Sequence, residues 1–376
     1  MSGEHAVLAP SSASRWVLCH GSVLLEAMYP ETEEKPEAAE GTATHWGAGE
    51  LFYGRPIALG QYAPNGVVLS EEMIQGAEMY VDAVDRRLHK LGLTREWLHV
   101  EERVDIPRVH PLNWGTPDNW LYYPQGACLD VFDFKFGHEF VEIFENWQIL
   151  DYTCGILDKL GIDGIADQSL TVNMHIVQPR SYHRDGPVRT WSAMASDLRG
   201  YFNKLSNSAH AAMQPGAKCT PNPECFHCKA RHVCEALQRD AYRSAQISTS
   251  SIPVDMTPAA LGLELHYLRA AAKRLEGRIT GLKEQAKITL QLGQPVAFHA
   301  LAPVEGREVW NKPVPEVISL GQMFGIDLAK KDAITPKQAV TAGMSAEVVA
   351  MYSERKKGLE LVSDDGSQAR KVFSSK

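Results

Sequence analysis

Asp118, Asp133 and Lys135 are the residues of this chain whose types and spacing best suit catalysis. Asp118 follows Gly115-Thr116-Pro117, a turn or strand edge, and fourteen residues separate it from Asp133. The run Leu129–Phe136 alternates with the period of a strand. Phe132, Phe134 and Phe136 then share one face, which has to be buried, while Asp133 and Lys135 share the other. Asp130 falls on the phenylalanine face, so Asp133 is the expected partner of Lys135. Two carboxylates beside a lysine suit hydrolysis of a phosphodiester. The acids hold Mg²⁺ or Mn²⁺ through hard oxygen ligands, and the metal acidifies a water and polarises the phosphoryl oxygen. A lysine that orients this water and offsets developing charge is worth about 3–4 kcal/mol in comparable sites. Gln148 and Tyr152, four residues apart, share one face of an expected helix, from which they can fix Lys135 and touch a nucleic-acid backbone. His45, at the expected start of an upstream helix, offers an imidazole nitrogen as a further metal ligand.

The elements that must position these residues are legible in outline. Helical signals cover the stretch before Met28, Thr42–Tyr53 and Ser70–Leu91. Strand signals cover Leu98–Ile106, Leu129–Phe136, Phe140–Phe144 and Leu170–Val177. These assign residues 1–245 to one domain, followed by a Ser/Thr/Pro-rich linker over 246–256. Thr257-Pro258 then opens a long helix over 257–293. Within it Leu261, Leu265, Leu268, Ala272, Leu275, Ile279, Leu282 and Ala286 follow at alternating spacings of four and three, a heptad pattern. Gly262, Gly277 and Gly281 weaken it as a free-standing coiled coil. A helix docked on its own domain and a helix that makes a homo-oligomer both remain open. Residues 294–376 read as a small α+β or helical extension.

The chain has 376 residues and a formal net charge of −8, with 44% hydrophobic residues. This length allows a sizeable core and suggests two domains, or one with an extension. Residues 1–50 carry eight acids against Arg15 and Lys35, whereas Arg180–Arg243 carries ten Lys/Arg against five Asp/Glu. The total argues against a protein that coats DNA indiscriminately, and the basic stretch suits either a phosphate backbone or a solvated face. No apolar run is long enough for a membrane span, and the start lacks the features of a signal peptide. The expectation is a reducing cytoplasm (that of the host, if the chain is phage-encoded) and no structural disulfides. No Gly-x4-Gly-Lys-Ser/Thr loop is present, so any helicase motor is a separate protein.

The order His45, Gly115-Thr116-x-Asp118, Asp133-x-Lys135 and Gln148-xxx-Tyr152 resembles the PD-(D/E)XK nucleases, and within them the RecB-like branch. Arg15-Trp16-Val17-Leu18-Cys19-His20-Gly21-Ser22, Phe134-Lys135-Phe136-Gly137 and Val177-Gln178-Pro179-Arg180 make the chain similar to a phage and prophage family of RecB-type nucleases. His20, where proline is expected, departs from that pattern. The resemblance covers most of residues 10–240. It implies an α/β restriction-endonuclease-like core, a mixed central sheet flanked by helices, with a helical C-terminal extension. It also implies Mg- or Mn-dependent DNA cleavage, with exonuclease action on ends or single strands in recombination, replication or repair. Asp118, Asp133, Lys135, Gln148 and Tyr152 become its catalytic residues, with His45, Asp118 and Asp133 as metal ligands. Tyr152 and Arg180 are candidate DNA contacts, although Arg180 equally suits a structural ion pair. Glu102 is a further candidate acid, and Trp114, Trp120, Tyr122, Tyr123 and Trp147 are candidate base-stacking residues. The alternative is a catalytically inactive nuclease-fold protein that binds DNA or serves as a scaffold. A separate recombination, annealing or helicase protein is the partner either reading suggests.

Cys225-x2-Cys228-x5-Cys234, with an early cysteine at Cys19, resembles the iron–sulfur motif of AddB and of the CRISPR-associated spacer-acquisition nucleases. By that resemblance Cys19, Cys225, Cys228 and Cys234 hold a [4Fe–4S] cluster, for which thiolates are the usual ligands. The rival is a local zinc site of Cys219, Cys225, Cys228 and Cys234. Cys128 and Cys154 read as small buried hydrophobes.

Overall fold

In the computed structural model, which describes residues 6–29, 36–162, 168–181, 186–247, 257–326, 328, 336–341 and 344–363, the strand expected around Asp133 spans Cys128–Phe134 and is buried along its whole length. In chain order the helices are α1 (Ala13–Leu18), α2 (Ser22–Glu26), α3 (Pro36–Phe52), α4 (Glu71–Leu91), α5 (Trp147–Lys159), α6 (Arg199–Ala212), α7 (Glu235–Ile247), α8 (Pro258–Gln291), α9 (Val314–Met323), α10 (Pro336–Thr341) and α11 (Ala346–Tyr352). The strands are β1 (Leu98–Val100), β2 (Val104–Asp105), β3 (Trp114–Gly115), β4 (Asn119–Tyr123), β5 (Cys128–Phe134), β6 (Thr171–Val177), β7 (Val188–Met194), β8 (His299–Trp310) and β9 (Ser353–Ser363). Among the described residues no helix is long and apolar enough to cross a membrane.

The chain divides into two compact units, residues 1–27 with 31–218 and residues 28–30 with 219–376. The first holds a five-stranded mixed sheet in the order β1-β4-β5-β6-β7. Only β5 and β6 run parallel, and α5 lies in the crossover between them. Helices cover both faces. Phe132 and Phe134 of β5 pack with Tyr80, Val84 and Leu88 of α4 and with Ala48 and Phe52 of α3. Leu129 and Val131, on the other face, pack with Ile149 and Ile156 of α5 and Phe202 and Leu205 of α6. Each fully buried phenylalanine stabilises the fold by roughly 1.5–3 kcal/mol. This is the α/β core the sequence led us to expect.

Local sequence sets the ends of the positioning helices. Ser70 caps α4 by accepting from the Met73 N–H at 3.3 Å, and Gly92 ends it at φ +69°, a conformation that favours glycine. Asn146 Oδ1 caps α5, accepting from the Gln148 and Ile149 N–H groups. Pro36 sits near the start of α3, so that helix begins before Thr42 and His45 lies in its third turn rather than at its start.

Three elements differ from expectation. Phe140–Phe144 is not a strand: the Ile143 and Phe144 N–H groups donate to Glu142 Oε1, and the Val141 N–H donates to Gln178 Oε1. With those donors taken by side chains, no ladder forms, and β6 pairs instead with β7. Leu98–Ile106 is split into β1 and β2, in different sheets, because Glu101 adopts φ +47° between them. The first unit ends at residue 218 rather than 245, because the stretch carrying the cysteine run and α7 packs on α8.

The second unit contains α7–α11 and a two-stranded antiparallel sheet of β8 and β9. Val317, Leu328, Ala339, Met344 and Val349 form a small core of their own there. The long helix appears as expected, over Pro258–Gln291, with Thr257 Oγ1 accepting from the Ala260 N–H at 3.2 Å. Residues 248–256 of the expected linker lie outside the described residues.

Candidate active site

Asp133 and Lys135 meet at the end of β5, where Asp133 still pairs with Ile176 of β6 and the Lys135 N–H donates to the Val177 carbonyl at 2.9 Å. Lys135 Nζ donates to Asp133 Oδ1 at 3.2 Å and to Gln148 Oε1 at 2.9 Å, and Gln148 Nε2 donates to the same Asp133 oxygen at 3.0 Å. The three side chains form a closed ring. Its fixed points are the backbone of β5 and the first turn of α5. Asp133 Oδ2 is buried and accepts no hydrogen bond, although Lys135 Nζ lies 3.0 Å away in a poor direction. The carboxylate side chain is only 4% exposed, whereas the lysine is 27% exposed, so the site opens to solvent past the lysine.

Asp118 enters from the turn between β3 and β4. Its Oδ2 accepts from the Phe134 N–H at 2.6 Å, and its Oδ1 lies 3.2 Å from Nδ1 of His45 on α3. The ring of His45 also leans on Phe134, with centroids 4.9 Å apart. Gly115 in the same turn is needed because a Cβ there would come within 2.7 Å of the Tyr152 ring and 2.9 Å of Pro10. Tyr152 lies one helical turn after Gln148 on α5, with its side chain beside that of Gln148. The structure therefore brings together all six residues expected to act: His45, Asp118, Asp133, Lys135, Gln148 and Tyr152.

Electrostatics divide the two acids. Burial pushes the Asp133 carboxyl up; Lys135 pulls it back, the Asp118 charge adds to the rise, and the result is a raised pKa. Burial also opposes ionisation of Asp118, but His45, Lys135 and the Phe134 N–H outweigh it and hold Asp118 below the usual range. Burial likewise opposes charging His45, and Asp118 overcomes this to raise its pKa. Burial keeps the Tyr152 hydroxyl protonated, with the charges of Asp118 and Asp133 reinforcing it.

Glu101 is an acid that sequence reasoning placed one residue off. Glu102, the expected candidate, is tied to Lys159 and His99 instead. Glu101 donates its backbone N–H to the Asp118 carbonyl at 2.9 Å, and its carboxylate lies near Gly49 on α3. Partial burial and the Asp118 charge raise its pKa. A small cavity lined by His45, Gly49, Tyr80, Glu101, Asp118 and Asn119 joins these groups. Tyr80 was missed as well: it stacks on Phe134 at 4.6 Å and donates to Asn119 Oδ1 at 2.5 Å. The left-handed backbone at Glu101 has no signature in the sequence, which is why a regular alternation through it misleads.

Other expected contacts resolve differently. Arg180 is held in ion pairs with Glu40 at 3.0 Å and Glu72 at 2.9 Å and stacks on Phe136, the structural reading of that residue. Trp120 is buried and stacked on His99, and Trp114 lies under the Arg103 guanidinium. Trp147 is half-buried beside Tyr201, with Lys204 Nζ over its ring at 4.7 Å. Asp130 is buried and paired with Arg87 and His175, which removes it from the site.

None of the seven cysteines is in a disulfide. Cys19 caps α1 in the first unit, and Cys219, Cys225, Cys228 and Cys234 belong to the second. Cys219 hydrogen-bonds Cys234, and this bond, the Ala236 and Leu237 N–H groups and the Arg278 charge together bring the Cys234 thiol down to about 6 against the effect of burial. The Asn222 N–H points at Cys225 Sγ at 3.4 Å. Among the described residues no three His, Cys, Asp or Glu side chains converge in ready-made metal-ligand geometry.

The family described as Protein of unknown function (DUF2800) matches residues 5–312. Among solved structures, a chain from Eubacterium rectale described as a "Putative exonuclease" is similar at 9% identity with a TM-score of 0.35, over 66% of this chain and 90% of that one. At that score the likeness carries no argument about the reaction.

Proposed function

The chain belongs to the family described as Protein of unknown function (DUF2800), a description that carries no activity, and we propose from the side chains themselves that it is a metal-dependent nuclease hydrolysing phosphodiester bonds of DNA. The observation that supports this is the ring of Asp133, Lys135 and Gln148 with the Asp118–His45 pair beside it, at one solvent-open end of the sheet.

The donor set suits Mg²⁺ or Mn²⁺: hard carboxylate oxygens with one imidazole, and a buried Asp133 oxygen that accepts no hydrogen bond. Asp118, Asp133 and His45, which do not converge on one point as they stand, would hold the ion, with Glu101 as a further acid nearby. When bound, a divalent ion supplies Lewis-acid polarisation of the phosphoryl group and acidifies water. Lys135, held between Asp133 and Gln148, is placed to orient water and to offset charge developing on the phosphate. Gln148 holds the lysine and the carboxylate in one orientation, and Tyr152 lies beside it one helical turn on. The raised Asp133 and lowered Asp118 give the pair a division of labour, with Asp118 ionised first.

The cysteines of the second unit have the soft donors of a structural zinc or iron–sulfur site. The hydrogen bond between Cys219 and Cys234 keeps Cys219 a candidate fourth ligand beside Cys19, the one the resemblance supplies. Iron and zinc contents of Cys19→Ala and Cys219→Ala proteins, purified without oxygen, separate the two: the variant that loses metal lacks a true ligand.

The nuclease reading is tested with end-labelled single- and double-stranded DNA, Mg²⁺ or Mn²⁺, and Asp118→Ala and Lys135→Ala beside wild type. Cleavage by wild type alone is expected. Equal cleavage by all three, or none by any, refutes it.

A further inference from the structure

The helix α8 has two faces that the structure treats in opposite ways. One is docked within its own unit on the cysteine stretch. A Cβ at Gly277 would come within 3.0 Å of the Phe226 backbone, and one at Gly281 within 2.6 Å of the Arg231 side chain. Arg278 donates to the Arg231 and His232 carbonyls, Glu284 pairs with Arg231 at 2.6 Å and Arg274 pairs with Asp240 at 2.7 Å. The two glycines that weaken a coiled coil in the sequence are therefore explained by close backbone approach on this side.

At 100° per residue, the heptad stripe lies on the opposite side of the helix. It is left largely open: Leu265 is 47% exposed, Leu268 58%, Ile279 51% and Leu282 46%, with Leu275 and Ala286 half-buried. Leu263 and Tyr267 are also exposed but fall on the glycine side, before the docked stretch. From Leu261 to Ala286 the stripe is roughly 38 Å long, at about 1.5 Å per residue. Its repeat of 3.5 residues is the one that keeps a seam facing a partner helix along its length.

We propose that α8 pairs with α8 of a second copy of this chain as an antiparallel two-helix coiled coil. The occupant and its direction follow from complementarity. In the antiparallel register every layer is filled by one stripe residue from each chain. Leu265 meets Leu282 of the partner subunit, Leu268 meets Ile279 of the partner subunit, and Ala272 meets Leu275 of the partner subunit. Small residues thus face large ones. A parallel pairing would set Ala272 against Ala272 of the partner subunit and leave a gap there. Charge agrees: the antiparallel register puts Arg269 beside Glu276 of the partner subunit, twice by symmetry. The parallel register would put Glu264 beside Arg269 of the partner subunit but Arg278 beside Lys283 of the partner subunit, so its attractive pair is offset by a repulsive one. The pairing leaves the glycine face on its own cysteine stretch, and it is independent of the reaction proposed above.

The test is sedimentation equilibrium of the full chain. Wild type is expected as a dimer, and Leu268→Glu and Ile279→Glu each as a monomer with unchanged helical circular dichroism, since both side chains are exposed in the single chain. Arg269→Glu is expected to raise the dimer dissociation constant roughly tenfold, from two pairs turned repulsive. Adding Glu276→Arg to the same chain restores it. A monomeric wild type, a dimer that survives Leu268→Glu and Ile279→Glu, or an Arg269→Glu defect that Glu276→Arg does not repair overturns the proposal.

Discussion

Asp151 is fully buried in α5, next to Tyr152, and among the described residues its two oxygens accept only from Asn113 Nδ2, each at 2.9 Å. Its partner is a neutral amide, so nothing offsets a negative charge, and burial pushes the carboxyl up to about 8. The native state therefore keeps a proton on Asp151 that the unfolded chain, with an ordinary value near 3.8, gives up. Where the native state binds more protons, stability falls as pH rises. This group's contribution is fully present below the unfolded value and is lost as pH rises to about 8. At about 1.36 kcal/mol for each pH unit, the loss across that window is at most roughly 6 kcal/mol. Asp151→Asn keeps the shape and removes the titration. We expect the variant to gain on wild type by about 1.4 kcal/mol per pH unit between pH 4 and 8, then to hold a constant lead. Urea unfolding followed by circular dichroism at pH 5, 7 and 9 measures this directly. If the difference between the two proteins is the same at all three pH values, Asp151 is ionised in the native state and the reasoning fails.

Three further outcomes follow from the same packing. Arg87→Met leaves buried Asp130 with His175 alone, at 2.8 Å, and is expected to destabilise by about 3–5 kcal/mol in urea unfolding at neutral pH. Gly155→Ala drives a Cβ to 2.7 Å from Ile106 and Val104 and 3.2 Å from the Asp105 carbonyl, which costs about 1–3 kcal/mol by the same assay. Gln148→Leu preserves the helix but removes both bonds that hold Lys135 and Asp133. Turnover of DNA is expected to fall by about 10²-fold with KM little changed, and an unaltered turnover rules out its positioning role.

Much of the site was readable because strand and helix periods are local. Alternation along Leu129–Phe136 put Asp133 and Lys135 on one side and excluded Asp130, which the structure pairs with Arg87 and His175. The four-residue spacing of Gln148 and Tyr152 likewise placed them on one face of α5. What periodicity cannot carry is a break in the backbone. The left-handed Glu101 ends β1 and turns Glu101 rather than Glu102 toward Asp118. Glu142 ends strand pairing in its neighbourhood through its own carboxylate, an event that depends on one side-chain rotamer.

By itself the sequence determined which residue types could act, their order, the buried alternation of the central strand and the heptad stripe of the long helix. These properties rest on covalent spacing and on the fixed periods of two backbone conformations. Only the tertiary structure decided which charges meet. It spends Arg180 on Glu40 and Glu72, gives buried Asp151 nothing but an amide, and sets His45 against Asp118. Those outcomes depend on residues far apart in the chain, where distance and burial, not sequence spacing, set the energy of a charge.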